Sequence, residues 1–271
     1  MMTARCDQKG FSLLELVVVI TITGLIAATL AIFIKGPVDS YFSSLRRAAL
    51  TDAADTAVRR LSRDIRKALP NSTRIPNSDA QCLELIPTKM GGRYRGAVGV
   101  AAFGDILNFV AADSSFSMLG RNSDLPEDQQ IRVNDLVAVY NLGVPGADAY
   151  AEDNTARVLS VVDGVETSIG IAAKLFPLAS GGKRFYVIPE DENVVAYVCD
   201  DDGNLRRTVR AFGDETCPAT GAILASYVGS CSFTHDVTDL QRNAPAQLSI
   251  TFTGSGETVS LYLQFYMNNT P

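Results

Sequence analysis

The sequence predicts an α+β protein: one long N-terminal helix, apolar in its first half and amphipathic in its second, packed on an antiparallel β-sheet head. Three observations carry this. No charged residue occurs from Leu16 to Ile34, about 19 residues or roughly 28 Å of helix, close to one bilayer core. Apolar residues then recur at three- and four-residue steps as far as Leu69. Beyond Pro70 the pattern changes to short alternating runs punctuated by glycine, proline and aspartate.

The first element is a charged leader, residues 1–10. Arg5 and Lys9 precede the apolar run, as a cytoplasmic N-terminus requires, so they are the topology determinants. A secretory signal carries its cleavage site after the apolar region, at an Ala-x-Ala-like sequence. Here the only small residue at a plausible cut is Gly10, before that region. Cutting there removes the leader and leaves the apolar helix, residues 11–34, on the mature chain. Glu15 sits just inside its apolar end. A charge at membrane depth costs about 2.5–3.5 kcal/mol, so this carboxylate needs a partner.

Gly10-Phe11-Ser12-Leu13-Leu14-Glu15 resembles the processing site of type IV pilins and of the pseudopilins of type II secretion. The resemblance implies cleavage between Gly10 and Phe11 by a prepilin peptidase, which also N-methylates the new Phe11 amine. Glu15 then stands five residues into the mature chain, where the family keeps its glutamate. In a bundle of such helices a buried carboxylate is tolerable only when neutralised. The cationic Phe11 amine of a neighbouring subunit is the natural partner, and the pair fixes the axial register of one helix against the next.

The second segment is the amphipathic stalk helix, residues 35–69. Lys35-Gly36-Pro37 closes the membrane segment and predicts a kink or a locally melted turn. Val38, Phe42, Leu45, Ala49, Ala54, Val58, Leu61, Ile65 and Leu69 form one stripe, and Pro70-Asn71 ends it. That stripe needs a cover, which the rest of the chain supplies.

Residues 70–271 read as the β-rich periplasmic head. Strands are expected at Cys82–Ile86, Tyr94–Val98, Asp105–Val110, Leu136–Tyr140, Lys183–Ile188 and Val194–Cys199. Gly91-Gly92 reads as a turn, and Asp202-Gly203-Asn204 as a hairpin turn leading into Leu205–Val209. Asn141–Thr155 reads as a surface loop. The clearest hairpin is Gln247–Thr253, a Gly254-Ser255-Gly256 turn, and Thr258–Phe265, both arms alternating between a buried and a wet face.

Charge separates stalk from head. Residues 35–69 hold eight basic side chains against four acidic, a net of +4, while residues 70–271 carry a net of −10. An acidic folded region excludes the ordinary nucleic-acid binder, whose basic patch lies on the folded domain.

Four cysteines remain beyond the leader: Cys82, Cys199, Cys217 and Cys231, an even set that suits disulfides in an oxidising compartment, with three pairings open. Cys6 leaves with the leader. There is no Cys-x-x-Cys and the chain has one histidine, so no metal site and no cofactor is expected. His235 has Asp236 beside it and Ser232 nearby, but neighbours on a strand face opposite ways, which disfavours a relay. Asp200-Asp201-Asp202-Gly203-Asn204 lacks the alternating ligands and distal Glu of an EF-hand loop, and reads as a solvated turn. No enzyme is expected.

More of the chain resembles one branch of the family, the minor pilins of the mannose-sensitive haemagglutinin (MSHA) pilus. The likeness lies in Ala48–Ile75, Cys82-Leu83-Glu84, Gly91-Gly92-Arg93-Tyr94-Arg95, Tyr197-Val198-Cys199-Asp200 and Cys231-Ser232-Phe233-Thr234. It implies a structural subunit that primes pilus assembly. Its partners are then the peptidase, other minor and major pilins, an inner-membrane assembly platform and the lipid bilayer. The alternatives are a secretion pseudopilin and an adhesin head carried on a pilin stalk.

Overall fold

A computed structural model describes residues 10, 12–98, 104–213, 217, 218, 220–235, 246–254 and 256–265. The chain divides into two compact units, Met1–Ala49 and Leu50–Pro271. One helix, α1 (Leu13–Arg66, 54 residues), begins in the first and ends in the second.

The helix runs without interruption through Gly36 and Pro37, so the expected melted turn is absent. Proline removes one backbone donor, and the flanking turns keep theirs, which suffices to carry the helix across. At its C-terminus α1 stops at Arg66 and not at Leu69. The reason lies in the strand that follows. Leu69 N–H donates to the Ile86 carbonyl at 2.8 Å, Thr88 N–H and Oγ1 both donate to the Lys67 carbonyl, and Ala68 bridges to Pro87. The last turn is thus taken over by sheet partners.

Thirteen strands follow among the described residues, in chain order. They are β1 (Cys82–Leu85), β2 (Met90–Arg93), β3 (Asp113–Met118), β4 (Leu136–Ala138), β5 (Thr155–Val162), β6 (Thr167–Lys174), β7 (Arg184–Ile188), β8 (Val194–Cys199), β9 (Asn204–Arg210), β10 (Ala222–Ser226), β11 (Val228–His235), β12 (Ala246–Gly254) and β13 (Glu257–Phe265). All pair antiparallel, in three sheets of order β1-β8-β9-β10, β11-β12-β13 and β2-β7-β4-β5-β6-β3. The fold is α+β with a pilin-like layout, a long N-terminal apolar helix followed by antiparallel sheets.

The two smaller sheets cover α1 from Leu50 onward. Leu50, Ala54, Ala57, Leu61 and Ile65 share one core with Leu83 and Leu85 of β1, Val195 and Tyr197 of β8, and Leu248, Ile250 and Phe252 of β12. The alanines let the sheets approach closely, while Leu61 and Ile65 fill the space between them; burying each large aliphatic chain is worth about 1.5–3 kcal/mol. Val38, Phe42 and Leu45 of the same stripe lie in the first unit and are exposed.

The six-stranded sheet has a separate core, built on Phe116, Val158, Ile169, Phe185 and Val187 with no residue of α1. Gly91 and Gly92 are not a turn: they lie in β2, paired with Tyr186 and Phe185. A Cβ at Gly92 would stand 2.7 Å from the Phe185 ring, so the strand tolerates only glycine beside it. Tyr94–Val98 and Asp105–Val110 form no strand; Tyr94 makes a single bridge to Met118. The Asn141–Thr155 loop is not all surface. Asn141 is buried, donates from Nδ2 to the Pro70 carbonyl at 2.7 Å and accepts from Ala149 N–H at 2.9 Å, clamping the exit of the helix.

Candidate functional site

The chemistry that the sequence singles out begins at the helix start. Ser12 is the residue before α1, and its Oγ accepts a hydrogen bond from Glu15 N–H at 3.2 Å, while its carbonyl accepts from Leu16 N–H. This Ser-x-x-Glu pattern is an N-cap with an acid in the first turn. The Glu15 carboxylate therefore also lies against the positive end of the helix dipole. It is exposed and has no side-chain partner among the described residues.

Capping is the role that reading the sequence for assembly alone passes over, although Ser12 three residues before Glu15 is a legible signal. Gly10 is exposed; a Cβ there meets nothing within 4 Å, and its φ is not in the left-handed region. Nothing in the described fold asks for glycine at this position. Arg5, Lys9 and Phe11 lie outside the described residues.

From Leu13 to Ile34 the large apolar side chains are exposed, Leu13 by 81% and Phe33 by 78%. The helix is long and apolar enough to cross a membrane. Its polar interruptions are self-satisfied. Thr21, Thr23 and Thr29 each donate Oγ1 to carbonyls three and four residues back, at 2.7–3.2 Å, so none presents an unpaired hydroxyl to an apolar surrounding.

In the second unit the four cysteines form two disulfides, Cys82–Cys217 and Cys199–Cys231. The second joins β8 of one small sheet to β11 of the other. Glu84 lies within ligand distance of Cys82 and Cys217. Both sulfurs are in the disulfide, however, and the Glu84 carboxylate is occupied by Arg210, with Nε at 2.7 Å and Nη2 at 2.8 Å, and by Arg74 Nε at 3.1 Å. Arg74 also lies 3.6 Å over the Tyr150 ring, whose hydroxyl, pushed up by burial, donates to the Ser72 carbonyl. The donor set is one of a saturated structural network, not of a metal site.

Asp64 is the polar anchor of α1, on the same side as its buried stripe. It accepts from Tyr197 Oη and from Arg207 Nε, both at 2.8 Å, and Arg207 also forks onto both oxygens of Glu192 at 2.8 and 2.9 Å. Burial pushes the Tyr197 hydroxyl up and the Asp64 charge adds to it. Burial acts to lower Arg207, but Glu192 and Asp64 outweigh it and hold the guanidinium above its ordinary value.

At the β8–β9 turn the Asp200 carboxylate accepts from Asn204 N–H at 2.8 Å and from Arg206 Nε, so the oxygen that a cation would need is already engaged. His235 ends β11, paired with Ala246, and Asp236 lies outside the described residues.

Residues 5–31 match the family described as the prokaryotic N-terminal methylation motif. No curated protein and no solved structure matches the chain. The motif indicates a type IV pilin-like or pseudopilin protein, a structural class processed by a peptidase and assembled with other pilins.

Proposed function

We propose that the chain is a minor pilin-like structural subunit that takes part in priming a type IV pilus of the MSHA type, most like the minor pilin MshO. The observation that carries this is the methylation motif over residues 5–31, set on a helix whose large apolar residues from Leu13 to Ile34 are exposed. The precursor inserts in the inner membrane with Arg5 and Lys9 in the cytoplasm and residues 70–271 in the periplasm. The peptidase cuts between Gly10 and Phe11 and methylates the Phe11 amine. Residues 11–34 serve as membrane anchor and then as polymerisation helix, leaving lipid for a bundle of pilin helices. Residues 35–69 continue that helix as the amphipathic stalk.

Glu15 neutralises the amine of a neighbour as the subunit docks. The exchange is favourable because the carboxylate and the amine are each costly alone in an apolar bundle and cheap together. No cofactor enters this reading, and nucleic acid is not a partner.

The test is a count of surface fibres by electron microscopy in a deletion strain and in the same strain complemented. Loss of fibres with the major pilin still made supports assembly initiation. Normal fibres with lost secretion move the chain to the pseudopilins. One observation favours a second reading, the adhesin: the six-stranded sheet carries its own core, independent of α1. Normal fibres with lost attachment would establish it and overturn the priming role.

A further inference from the structure

Two oppositely charged features lie towards opposite ends of the β8–β9 ribbon, and each holds charges that the networks described above leave unused. At the end where β8 begins there is a cleft of about 250 Å³, whose walls include Arg60, Arg63 and Lys67 of α1, Thr88, Glu192 and Arg207. The three helix residues fall at positions i, i+3 and i+7, so they share one face. Asp64 and Glu192, also lining it, are occupied: Arg207 takes both oxygens of Glu192, and Asp64 holds Tyr197 and Arg207. Lys89 is paired with Asp135 at 2.5 Å. What remains unused is cationic. Arg63 and Lys67 are exposed and have no side-chain partner among the described residues, and Arg60 makes only a 3.4 Å contact to Asp64. Among the described residues, Asp128 is the one opposing carboxylate on the lining without a partner. A cleft with surplus forked donors takes a group with paired oxygens, a carboxylate above all.

At the other end of the ribbon, one strand length away (roughly 20 Å for six residues), is the β8–β9 turn. Asp200 is spent on shaping it: it binds Asn204 and Arg206, and Gly203 supplies the positive φ of 75°. Asp201 and Asp202 are left exposed and without partners among the described residues. The same chain thus carries an acidic turn and a basic cleft. An exposed acidic turn and a basic cleft on one chain are complementary charges that contact between two copies brings together.

We propose that the Arg60–Arg63–Lys67 cleft receives the Asp201–Asp202 turn of a second copy of this chain. This deepens the structural-subunit reading and rests on it: two adjacent copies in the assembly are held head to tail by this contact.

The experiment uses the full chain in detergent micelles, mixed in equal parts unlabelled and 15N-labelled. A water-soluble carbodiimide condenses an amine and a carboxylate into an amide with no spacer and itself takes up the water lost. The expected product is an amide between Lys67 and Asp201 or Asp202 carrying one light and one heavy peptide. Arg63→Glu should lower its yield about tenfold or more, and Arg63→Glu combined with Asp202→Arg should recover it. All these side chains are exposed, and retained disulfides check that the variants fold. Lys67 amides found only within one chain, to Asp64 or Asp128, or an interchain yield unchanged in Arg63→Glu, overturn the proposal. Fibres lost on deletion while the cross-link is absent remove this contact alone; fibres unaffected by deletion remove the assembly reading instead.

Discussion

Tyr197 donates its hydroxyl to Asp64 across 133 residues of chain, at 2.8 Å and with both residues buried. The pair is the polar weld between α1 and β8, set within the apolar contacts of Leu61, Ile65, Leu83 and Leu85. It stiffens the region because Asp64 also engages Arg207 of β9, so one carboxylate joins the helix to two adjacent strands. A purely apolar contact between helix and sheet can slide; this one has a single register.

The weld predicts an order of stabilities. Tyr197→Phe removes one donor and leaves Asp64 with Arg207, and costs about 1–2 kcal/mol. Asp64→Ala strips the acceptor from two buried or half-buried donors and costs about 2–3 kcal/mol. Urea unfolding followed by far-ultraviolet circular dichroism measures both. Equal stability of Asp64→Ala and the parent chain would show that the sheet is held by apolar packing alone.

The disulfides close loops of unequal length, with sequence separations of 135 for Cys82–Cys217 and 32 for Cys199–Cys231. Chain-entropy arithmetic gives about 5 and about 4 kcal/mol. The Cys82→Ser/Cys217→Ser chain is therefore expected to unfold at a lower denaturant concentration than Cys199→Ser/Cys231→Ser. The reverse order would locate the stabilisation in the β8–β11 junction and not in the closed loop.

Legibility in the sequence followed how well side-chain pattern and burial agree. The helix stripe from Ala54 to Ile65 and the β12–β13 hairpin alternate cleanly, since one face of each is buried and the other wet. Strands β5 and β6 gave no such signal. Leu159 and Val162 point outward and are exposed, and β6 carries Gly170 and two alanines where large residues would mark a core face. Gly92 misled because a glycine pair usually means a turn, whereas here it makes room for Phe185. At the helix start the processing motif was plain, but the Ser12 cap is a local hydrogen bond that a search for assembly residues passes over.

The β8–β9 turn predicts an acid limit. Burial acts to raise the Asp200 carboxyl, but the hydrogen bonds from Arg206 and Asn204 outweigh it and hold it below the usual carboxylate range. The folded value is depressed, so its stabilisation is complete above the unfolded value of about 3.9 and is lost as pH falls through the lower folded value. Asp163, held down chiefly by a hydrogen bond from Ser123 and further by Asn122 and Thr167, acts in the same sense. Unfolding of Asp200→Asn should be less stable than the parent at pH 6 and converge with it as the pH falls below 3. A constant difference across that range would assign the loss to packing.

Gly10 makes no contact that a side chain would disturb. Gly10→Val is therefore expected to leave folding and membrane insertion unchanged and to block removal of the leader, because the peptidase must approach the backbone at the cut. The intact mass of the purified protein decides: retention of residues 1–10 is expected, and a mature mass equal to that of the parent would refute the assigned cut site.

Glu15 has two candidate duties, and they separate experimentally. As the third residue of a capped helix it supports the first turn, where Ser12 Oγ binds its N–H. As an assembly residue its charge meets the Phe11 amine of a neighbour. Ser12→Ala weakens the cap by about 1 kcal/mol, a small loss in a helix of 54 residues, and is expected to leave incorporation intact. Glu15→Gln keeps the length, the helix propensity and the capacity to accept a hydrogen bond, but abolishes the charge. It is expected to be processed normally and to fall several-fold in sheared fibres, as is Glu15→Ala, when quantified by blotting against the processed pool in the membrane. Normal incorporation of Glu15→Gln beside a defect in Ser12→Ala would reduce Glu15 to a helix cap and remove the register argument.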